Sequence, residues 1–218
     1  YGISRKGDLM SETKNLKESN KTTIYAVITV LCVVIFLIQL GIEGYVNIKN
    51  IYAGLGISGG ISVISLLLVN IIPQNFKHIL VFWRVKRVLP GNRVIELCRK
   101  DERLNMNDLQ NKWPELFLHD MPEQDRNPFW YKNIYKKTES SAQVIDAHKN
   151  FLLFRDLCSA TLVMFICAGL LKLISIDGLH IKWIVLAFLF IMTFIFSVIS
   201  RHYGNRMVTS AVAVGADS

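Results

Sequence analysis

The sequence has few of the residues that build metal or redox centres. Only four cysteines occur among its 218 residues, and no two of them lie at C-x-x-C spacing. This excludes a disulfide framework or a zinc ribbon and predicts reduced, unpaired thiols. The H-E-x-x-H motif and a glycine-rich phosphate loop followed by lysine are also missing. We therefore expect no enzyme activity, no metal and no cofactor.

Charge is nearly missing from four long apolar runs. Each run is close to the roughly 20 residues that cross about 30 Å of hydrocarbon as a helix. The first run is too long for a signal peptide and lacks a small-residue cleavage site, so it is predicted to be an anchor. The lack of charges deep in the runs argues against a proton-coupled pump. The four predicted spans are Ile24–Ile42, Tyr52–Ile72, Leu157–Ile176 and Ile181–Ser200.

Positive residues concentrate outside these runs. Five of the 25 lysines and arginines precede the first run, and fifteen lie between the second and third runs. Because lysine and arginine favour the cytoplasmic side, both termini and the central segment are predicted to be cytoplasmic. An even number of spans gives the same orientation. Met10 is a plausible native start, and residues 1–9 are expected to be an added remnant.

These patterns predict an all-α integral membrane protein with four transmembrane helices and a small helical cytoplasmic domain. The predicted organisation is a cytoplasmic arm at 1–23, two spans within 24–72, the cytoplasmic domain at 73–156, two spans within 157–200, and a tail at 201–218. The end of the tail, Val208–Ser218, is expected to be disordered.

Helix-breaking residues are missing from the stretch that leads into the third span. No proline and no glycine occur between Ser140 and Ala168, so one helix is predicted from near Ala142 into the membrane. Within the central domain, Asn107 is placed to cap a short helix that Pro114 stops. A domain of about 80 residues is marginal by itself, so we expect support from the bilayer, a partner or other subunits. A homo-oligomer follows, with a tetramer favoured.

The second span has a stripe of small and polar residues. Gly56-x-x-x-Gly60 lets helix backbones approach closely, and serines follow at i, i+4 and i+7. Two interpretations stay open: an intramolecular packing face, or a subunit interface that lines a pore. The candidate pore or helix-packing residues are Gly56, Ser58, Gly60, Ser62, Ser65 and Asn70.

The central segment combines cations with aromatic residues. Between Phe76 and Val88, lysines and arginines accompany Phe82 and Trp83. One interpretation is a collar that anchors the domain at lipid headgroups. The other is a binding surface for an anionic ligand, such as a nucleotide or oligonucleotide. The basic residues Arg201 and Arg206 are interpreted as anchors of the inner end of the fourth span.

Two blocks in this segment, Asn127-Pro128-Phe129-Trp130-Tyr131-Lys132 and Val144–Asp156, follow an upstream Arg87-Val88-Leu89-Pro90-Gly91. Together with the span layout they resemble small four-span membrane proteins of bacterial anti-phage defence. The likeness is greatest to the membrane component of the Hailong system, with that of the Kiwa system second. The resemblance implies a homo-oligomeric, channel-like inner-membrane effector of abortive infection, which a DNA-like oligomer from a partner nucleotidyltransferase holds closed.

On this resemblance, basic residues of the central domain would meet phosphates and its aromatic rings would stack on bases. The candidate ligand-binding residues are Lys77, Arg84, Lys86, Arg87, Arg93, Arg126, Trp130, Tyr131, Lys132, Lys136 and Lys137. The predicted function is an effector that an anionic signal gates and that disrupts membrane integrity on activation. The alternative is a membrane sensor or scaffold that recruits a cytosolic DNA-binding or effector partner during infection.

Overall fold

The computed structural model describes residues 18–40, 56, 59–60, 63, 71–117, 121–174 and 181–217. Regular structure in these ranges is entirely helical, which confirms the all-α prediction. The helices are α1 (Lys21–Leu40), α2 (Gln74–Phe82), α3 (Val94–Arg99), α4 (Met106–Lys112), α5 (Pro114–Phe117), α6 (Glu123–Trp130), α7 (Lys136–Thr138), α8 (Ala142–Ile174) and α9 (Trp183–Asp217). A 3-10 turn (Pro90–Arg93) precedes α3, and a π-helical turn (Tyr131–Tyr135) follows α6.

Three of the described helices, not four, are long and apolar enough to cross a membrane. These helices are α1, α8 and α9, which identifies them as candidate spans by length and composition. The second predicted span, Tyr52–Ile72, lies mostly outside the described residues. The prediction of four spans is therefore corrected to three candidates within the described ranges.

The chain forms two compact units. One, the apolar unit, comprises Tyr1–Lys77 and Leu153–Ser197, and the other, the polar unit, comprises His78–Leu152 and Val198–Ser218. The boundaries between them fall inside helices. In particular, α8 begins at Ala142 and continues to Ile174 without a break, as its lack of proline predicted.

The end of the chain is ordered, so the predicted disordered tail is wrong. Helix α9 continues to Asp217, and its last turns enter the core of the polar unit. Apolar residues recur there at helical spacing, and burying each large one contributes about 1.5–3 kcal/mol. The Lys112 ammonium also donates a hydrogen bond to the Ala216 carbonyl (3.1 Å). The core includes Val94, Cys98, Leu109, Leu116, Trp130, Ile134, Val144, Met207, Val208, Ala211 and Val212.

Helix α4 begins one residue before the predicted cap. The side chain of Asn105, not that of Asn107, caps it by accepting a hydrogen bond from the Asn107 backbone N–H (3.0 Å). Asn107 is instead the second residue of the helix. The C-terminal cap of α4 is Trp113, directly before Pro114.

The apolar unit packs its three candidate spans around Ile35, Met164, Ala168, Val185 and Leu189. Several of its hydroxyl groups form hydrogen bonds within the unit, as a membrane environment favours. For example, the Thr193 hydroxyl donates to the Thr161 hydroxyl at 3.0 Å.

This unit also contains a buried ion network. The Lys77 ammonium lies 3.2 Å from Asp156 Oδ1, and the Arg155 guanidinium lies 3.0 Å from the same oxygen. All three side chains are almost fully buried. Because a buried charge is tolerated only when it is paired, this network holds Lys77, near the start of α2, against residues 155–156 of α8 within the unit.

Candidate anion-binding site

The turn after α2 has an unusual backbone. Trp83 and Arg87 have positive φ angles of 54° and 51°, a region that costs a bulky residue about 1–2 kcal/mol. A hydrogen bond from the Trp83 N–H to the Ile79 carbonyl (2.8 Å) holds one end of the turn. Buried Phe82 and Val88 flank it. Strain of this kind persists only where the surroundings impose it, and it concentrates at functional sites.

The buried ring of Phe82, directly before this turn, packs against α8 and α9. Its ring centroid lies 5.8 Å from that of Phe151, and a Cβ added to Gly204 of α9 would lie 2.7 Å from its Cζ atom. Glycine at position 204 therefore lets α9 approach closely. One turn earlier on α9, the guanidinium carbon of Arg201 lies 5.1 Å from the Trp83 ring centroid. The packing thus brings residues 201–204 of α9 to the strained turn.

Arg93 approaches the same ring from the 3-10 turn. Its guanidinium carbon lies 5.6 Å from the Phe82 ring centroid, and the residue is only 5% exposed. The buried Nε and Nη2 atoms of Arg93 have no hydrogen-bond partner among the described residues. Native proteins rarely leave buried donors unmet, and an unseen ion or water is a usual reason.

The 3-10 turn has little freedom to move away. A Cβ added to Gly91 would lie 2.9 Å from the Trp130 ring of α6 and would also collide with the Asn127 side chain. Only glycine permits this close packing. The arrangement that buries Arg93 is therefore built into the local sequence.

The electrostatic surroundings of Arg93 are positive. Burial lowers the pKa of Arg93, and the charges of Arg84 and Arg201 lower that pKa further, while Glu96 and Glu123 oppose them. Arginine nevertheless stays protonated at neutral pH because its ordinary pKa is so high. The site thus holds a charged, buried group whose charge is incompletely balanced.

Glu123, in the first turn of α6, bonds to two other arginines. Its Oε2 atom forms a close ion pair with Arg87 Nη1, and its Oε1 atom lies 3.8 Å from Arg84 Nη1. We call Arg84, Arg87, Arg93 and Arg201, with Glu123, the arginine cluster. Its four guanidinium groups exceed the carboxylates of Glu96 and Glu123 by two positive charges. A planar fork of unmet donors under a net positive charge suits a phosphate or carboxylate.

The structure brings together three of the predicted ligand residues, Arg84, Arg87 and Arg93. Lys77 does not join them, because it is buried against Asp156 in the apolar unit. The Arg126 Nε atom donates to the Met121 carbonyl (3.3 Å). Lys86, Lys132 and Lys137 are exposed.

The predicted aromatic residues and Lys136 form a separate internal cluster. Trp130 is 3% exposed, and its ring centroid lies 5.4 Å from that of Tyr135. Tyr131 stacks on Tyr135 at 5.3 Å. Lys136 lies over the Tyr131 ring and pairs with Glu139 at 2.6 Å. These residues hold the π-helical turn together rather than line the arginine cluster.

Sequence reasoning missed Glu123 and Arg201 as site residues. Arg201 is a basic residue at the end of an apolar run, which indicated only a membrane anchor. Its contact with the Trp83 ring depends on how α9 packs and is visible only in the structure. For Glu123 the sequence offered no signal beyond an acidic residue in the first turn of a helix.

The pore candidates lie largely outside the described residues. This applies to Ser58, Ser62, Ser65 and Asn70. Gly56 and Gly60 are helical, and a Cβ added to either would meet no atom of the described residues within 4 Å.

The polar unit also has an open cleft of about 690 Å³. Two hydrogen bonds of Arg103 form part of its wall. Arg103 Nη2 donates to Asp101 Oδ2 at 2.7 Å and to the Thr209 hydroxyl at 3.4 Å. The Arg103 hydrogen bonds lower the pKa of Asp101 to about 2. The cleft is lined by Leu97, Lys100, Asp101, Glu102, Arg103, His202, Asn205, Arg206 and Thr209.

No protein-family model, curated protein or solved structure matches this sequence. The chemistry available to the described residues is therefore the basis for a function. Among these residues, no cluster of histidine, cysteine, aspartate and glutamate could hold a metal ion. The arginine cluster is the arrangement whose unmet donors call for a ligand.

Proposed function

We propose that this chain is a multi-pass membrane protein that binds a phosphate-bearing ligand at the arginine cluster of its polar unit. One observation carries the proposal: Arg93 is 95% buried, and two of its guanidinium nitrogens have no partner in the described part of the chain. A hydrogen bond from a charged donor to its acceptor contributes about 1.5–3 kcal/mol. A ligand oxygen that accepts a hydrogen bond from Arg93 would add this free energy to binding. It would also remove the cost of leaving the Arg93 donors unmet.

The location of Arg201 connects ligand binding to the membrane. Arg201 belongs to the polar unit, yet its helix, α9, is also a candidate span. A ligand that draws Arg201 toward Arg93 would therefore act on a membrane helix. By the positive-inside rule, the positive residues of the polar unit support a cytoplasmic location for it, which in our proposal is the cytoplasm of a bacterial cell.

The proposed activity follows the resemblance to anti-phage membrane effectors. In it, the ligand is a nucleotide or oligonucleotide signal from a partner nucleotidyltransferase, and the protein is a homo-oligomeric, channel-like effector. Ligand occupancy sets whether the spans stay closed, and activation disrupts the membrane. Exposed Lys86, Lys132 and Lys137 would supply further contacts to a long polyanion.

Binding to the full chain in detergent tests the site. Isothermal titration with inorganic phosphate and with a short single-stranded DNA should show binding that weakens as salt rises. Arg93→Met should weaken binding at least about tenfold, the equivalent of one lost charge-assisted hydrogen bond. Arg99→Met, which removes an exposed arginine outside the cluster, is the matched control. Equal affinities in wild type and Arg93→Met would overturn the assignment.

Ion flux tests the activity. The protein reconstituted in liposomes should release an entrapped dye or ion, and DNA that binds the cluster should change the rate. Arg93→Met should remove this response to DNA. Binding without flux in any condition would instead favour a sensor or scaffold that recruits a cytosolic partner.

A further inference from the structure

Glu123 belongs to the arginine cluster, yet it does not satisfy Arg93. Its two oxygens face Arg84 and Arg87, whose side chains are 42% and 51% exposed. Its influence on Arg93 is the weakest of the four neighbouring charges. The cluster therefore holds a carboxylate on its exposed arginines while the buried guanidinium has two unmet donors.

We infer that Glu123 is a displaceable counter-ion that makes the arginine cluster select a doubly charged terminal phosphate over a singly charged phosphodiester. This inference rests on the proposed function, because it concerns the same site. It adds a class of ligand group and a residue that determines specificity.

The ion pairs that hold Glu123 in the cluster are weak. Ion pairs between partly exposed side chains are weak, and losing one changes an equilibrium by about fivefold, or roughly 1 kcal/mol. An anion that reaches Arg93 also comes within range of Arg84, the second-largest influence on Arg93 after burial itself. It therefore competes with Glu123 for the same guanidinium. A stronger anion can displace the carboxylate at small cost.

The net positive charge of the arginine cluster favours a dianion over a monoanion. With Glu123 in place, the cluster and Glu96 together have an excess of two positive charges. Displacing Glu123 raises this excess to three; a doubly charged phosphate then lowers it to one, whereas a singly charged diester only restores the excess of two that the carboxylate had left. Coulomb attraction to Arg93 and Arg84 thus favours the dianion over Glu123 and gives the monoanion little advantage.

A terminal phosphate of this kind has two sources. It can belong to a soluble phosphomonoester, such as the end of a nucleotide chain, or to a phosphomonoester lipid headgroup. Small phosphate esters test the effect of phosphate charge without the rest of a ligand. At pH 8, methyl phosphate is a dianion because the second pKa of a phosphomonoester is about 6, while dimethyl phosphate is a monoanion. Vesicles with phosphatidic acid or phosphatidylglycerol make the same comparison for lipids.

The experiment measures all four probes on the full chain in detergent or nanodiscs. Wild type should bind methyl phosphate more tightly than dimethyl phosphate. In Glu123→Gln, affinity for dimethyl phosphate should rise about fivefold, as expected for losing one competing ion pair, and affinity for methyl phosphate should rise by less, so that the preference for the dianion narrows. Tighter binding to phosphatidic acid than to soluble methyl phosphate would identify the lipid as the source, and the reverse would identify a soluble monoester.

Glu96→Gln is the matched control. Glu96 is exposed and forms no ion pair in the described ranges, so its replacement changes net charge equally without vacating Arg84 and Arg87. Because it adds to the positive excess but leaves the competing carboxylate in place, it should not narrow the preference for methyl phosphate over dimethyl phosphate. If Glu123→Gln does not fold, Glu123→Asp keeps the charge but shortens the reach to two arginines, and it should change the preference in the same direction by less.

The outcomes separate this inference from the proposed function. If no probe binds and Arg93→Met changes nothing, the proposed function fails. If the probes bind through Arg93 but Glu123→Gln and Glu96→Gln have equal effects on the preference, only the counter-ion inference is overturned.

Discussion

Replacing Arg93 by methionine should stabilise the ligand-free protein while it removes anion binding. In wild type the fold leaves two buried guanidinium nitrogens without partners. Each unmet donor costs about 1–3 kcal/mol, so their removal returns at least about 2 kcal/mol. The lost contact between the Arg93 cation and the Phe82 ring offsets about 0.5–1 kcal/mol of this. Methionine keeps an unbranched, flexible side chain without the guanidinium and can itself contact the ring.

The net gain is therefore about 1 kcal/mol or more, which for a chain of 218 residues corresponds to a rise in Tm of about 2–4 °C. Thermal unfolding of the full chain, followed by tryptophan fluorescence in a phosphate-free buffer, measures it. Added phosphate should raise the Tm of wild type but not that of Arg93→Met. Arg99→Met should stay within about 0.5 kcal/mol of wild type, as surface substitutions do. A fall in the Tm of Arg93→Met would show that Arg93 is a satisfied structural residue and would refute the reasoning.

Three further predictions concern stability. Asp156→Asn removes the only carboxylate described in the buried ion network and should destabilise the fold by about 3–5 kcal/mol, measured by denaturant unfolding. Gly204→Ala should cost about 1–3 kcal/mol because its Cβ would lie 2.7 Å from the Phe82 ring, whereas Gly169→Ala, whose Cβ would meet no described atom within 4 Å, should cost nothing. Asp101, whose pKa falls to about 2, should contribute stability above pH 4 that disappears as pH falls toward 2. The difference in unfolding free energy between wild type and Asp101→Asn, roughly 1 kcal/mol at pH 7 since Arg103 is half-exposed, should therefore shrink over that interval.

Local rules predicted the long helices well. The start of α8 at Ala142 follows from the lack of proline and glycine downstream, and the spans follow from length and hydropathy. The cap of α4 was placed two residues late because Asn105 and Asn107 are equally good caps, and only their tertiary setting separates them. The tail was misjudged because its small apolar residues look unstructured until the core they fill is known.

The candidate site was predictable only in part. Arg84, Arg87 and Arg93 are close in sequence, so a basic surface could be expected there. Glu123 and Arg201 come from α6 and α9, far along the chain, and periodicity cannot bring them together. That Arg93 is buried, and that Lys77 is buried elsewhere in an ion pair, depends on packing that no local pattern encodes.

Crystals of the full chain soaked with tungstate, a tetrahedral dianion with strong anomalous scattering, test whether the arginine cluster binds a phosphate-like anion. We expect an anomalous peak within hydrogen-bonding distance of Arg93 Nε and Nη2, with Arg84 and Arg201 turned toward it, and no peak in crystals of Arg93→Met. An empty cluster at tungstate concentrations that saturate binding in solution, or a protein acceptor occupying both Arg93 nitrogens, would contradict it.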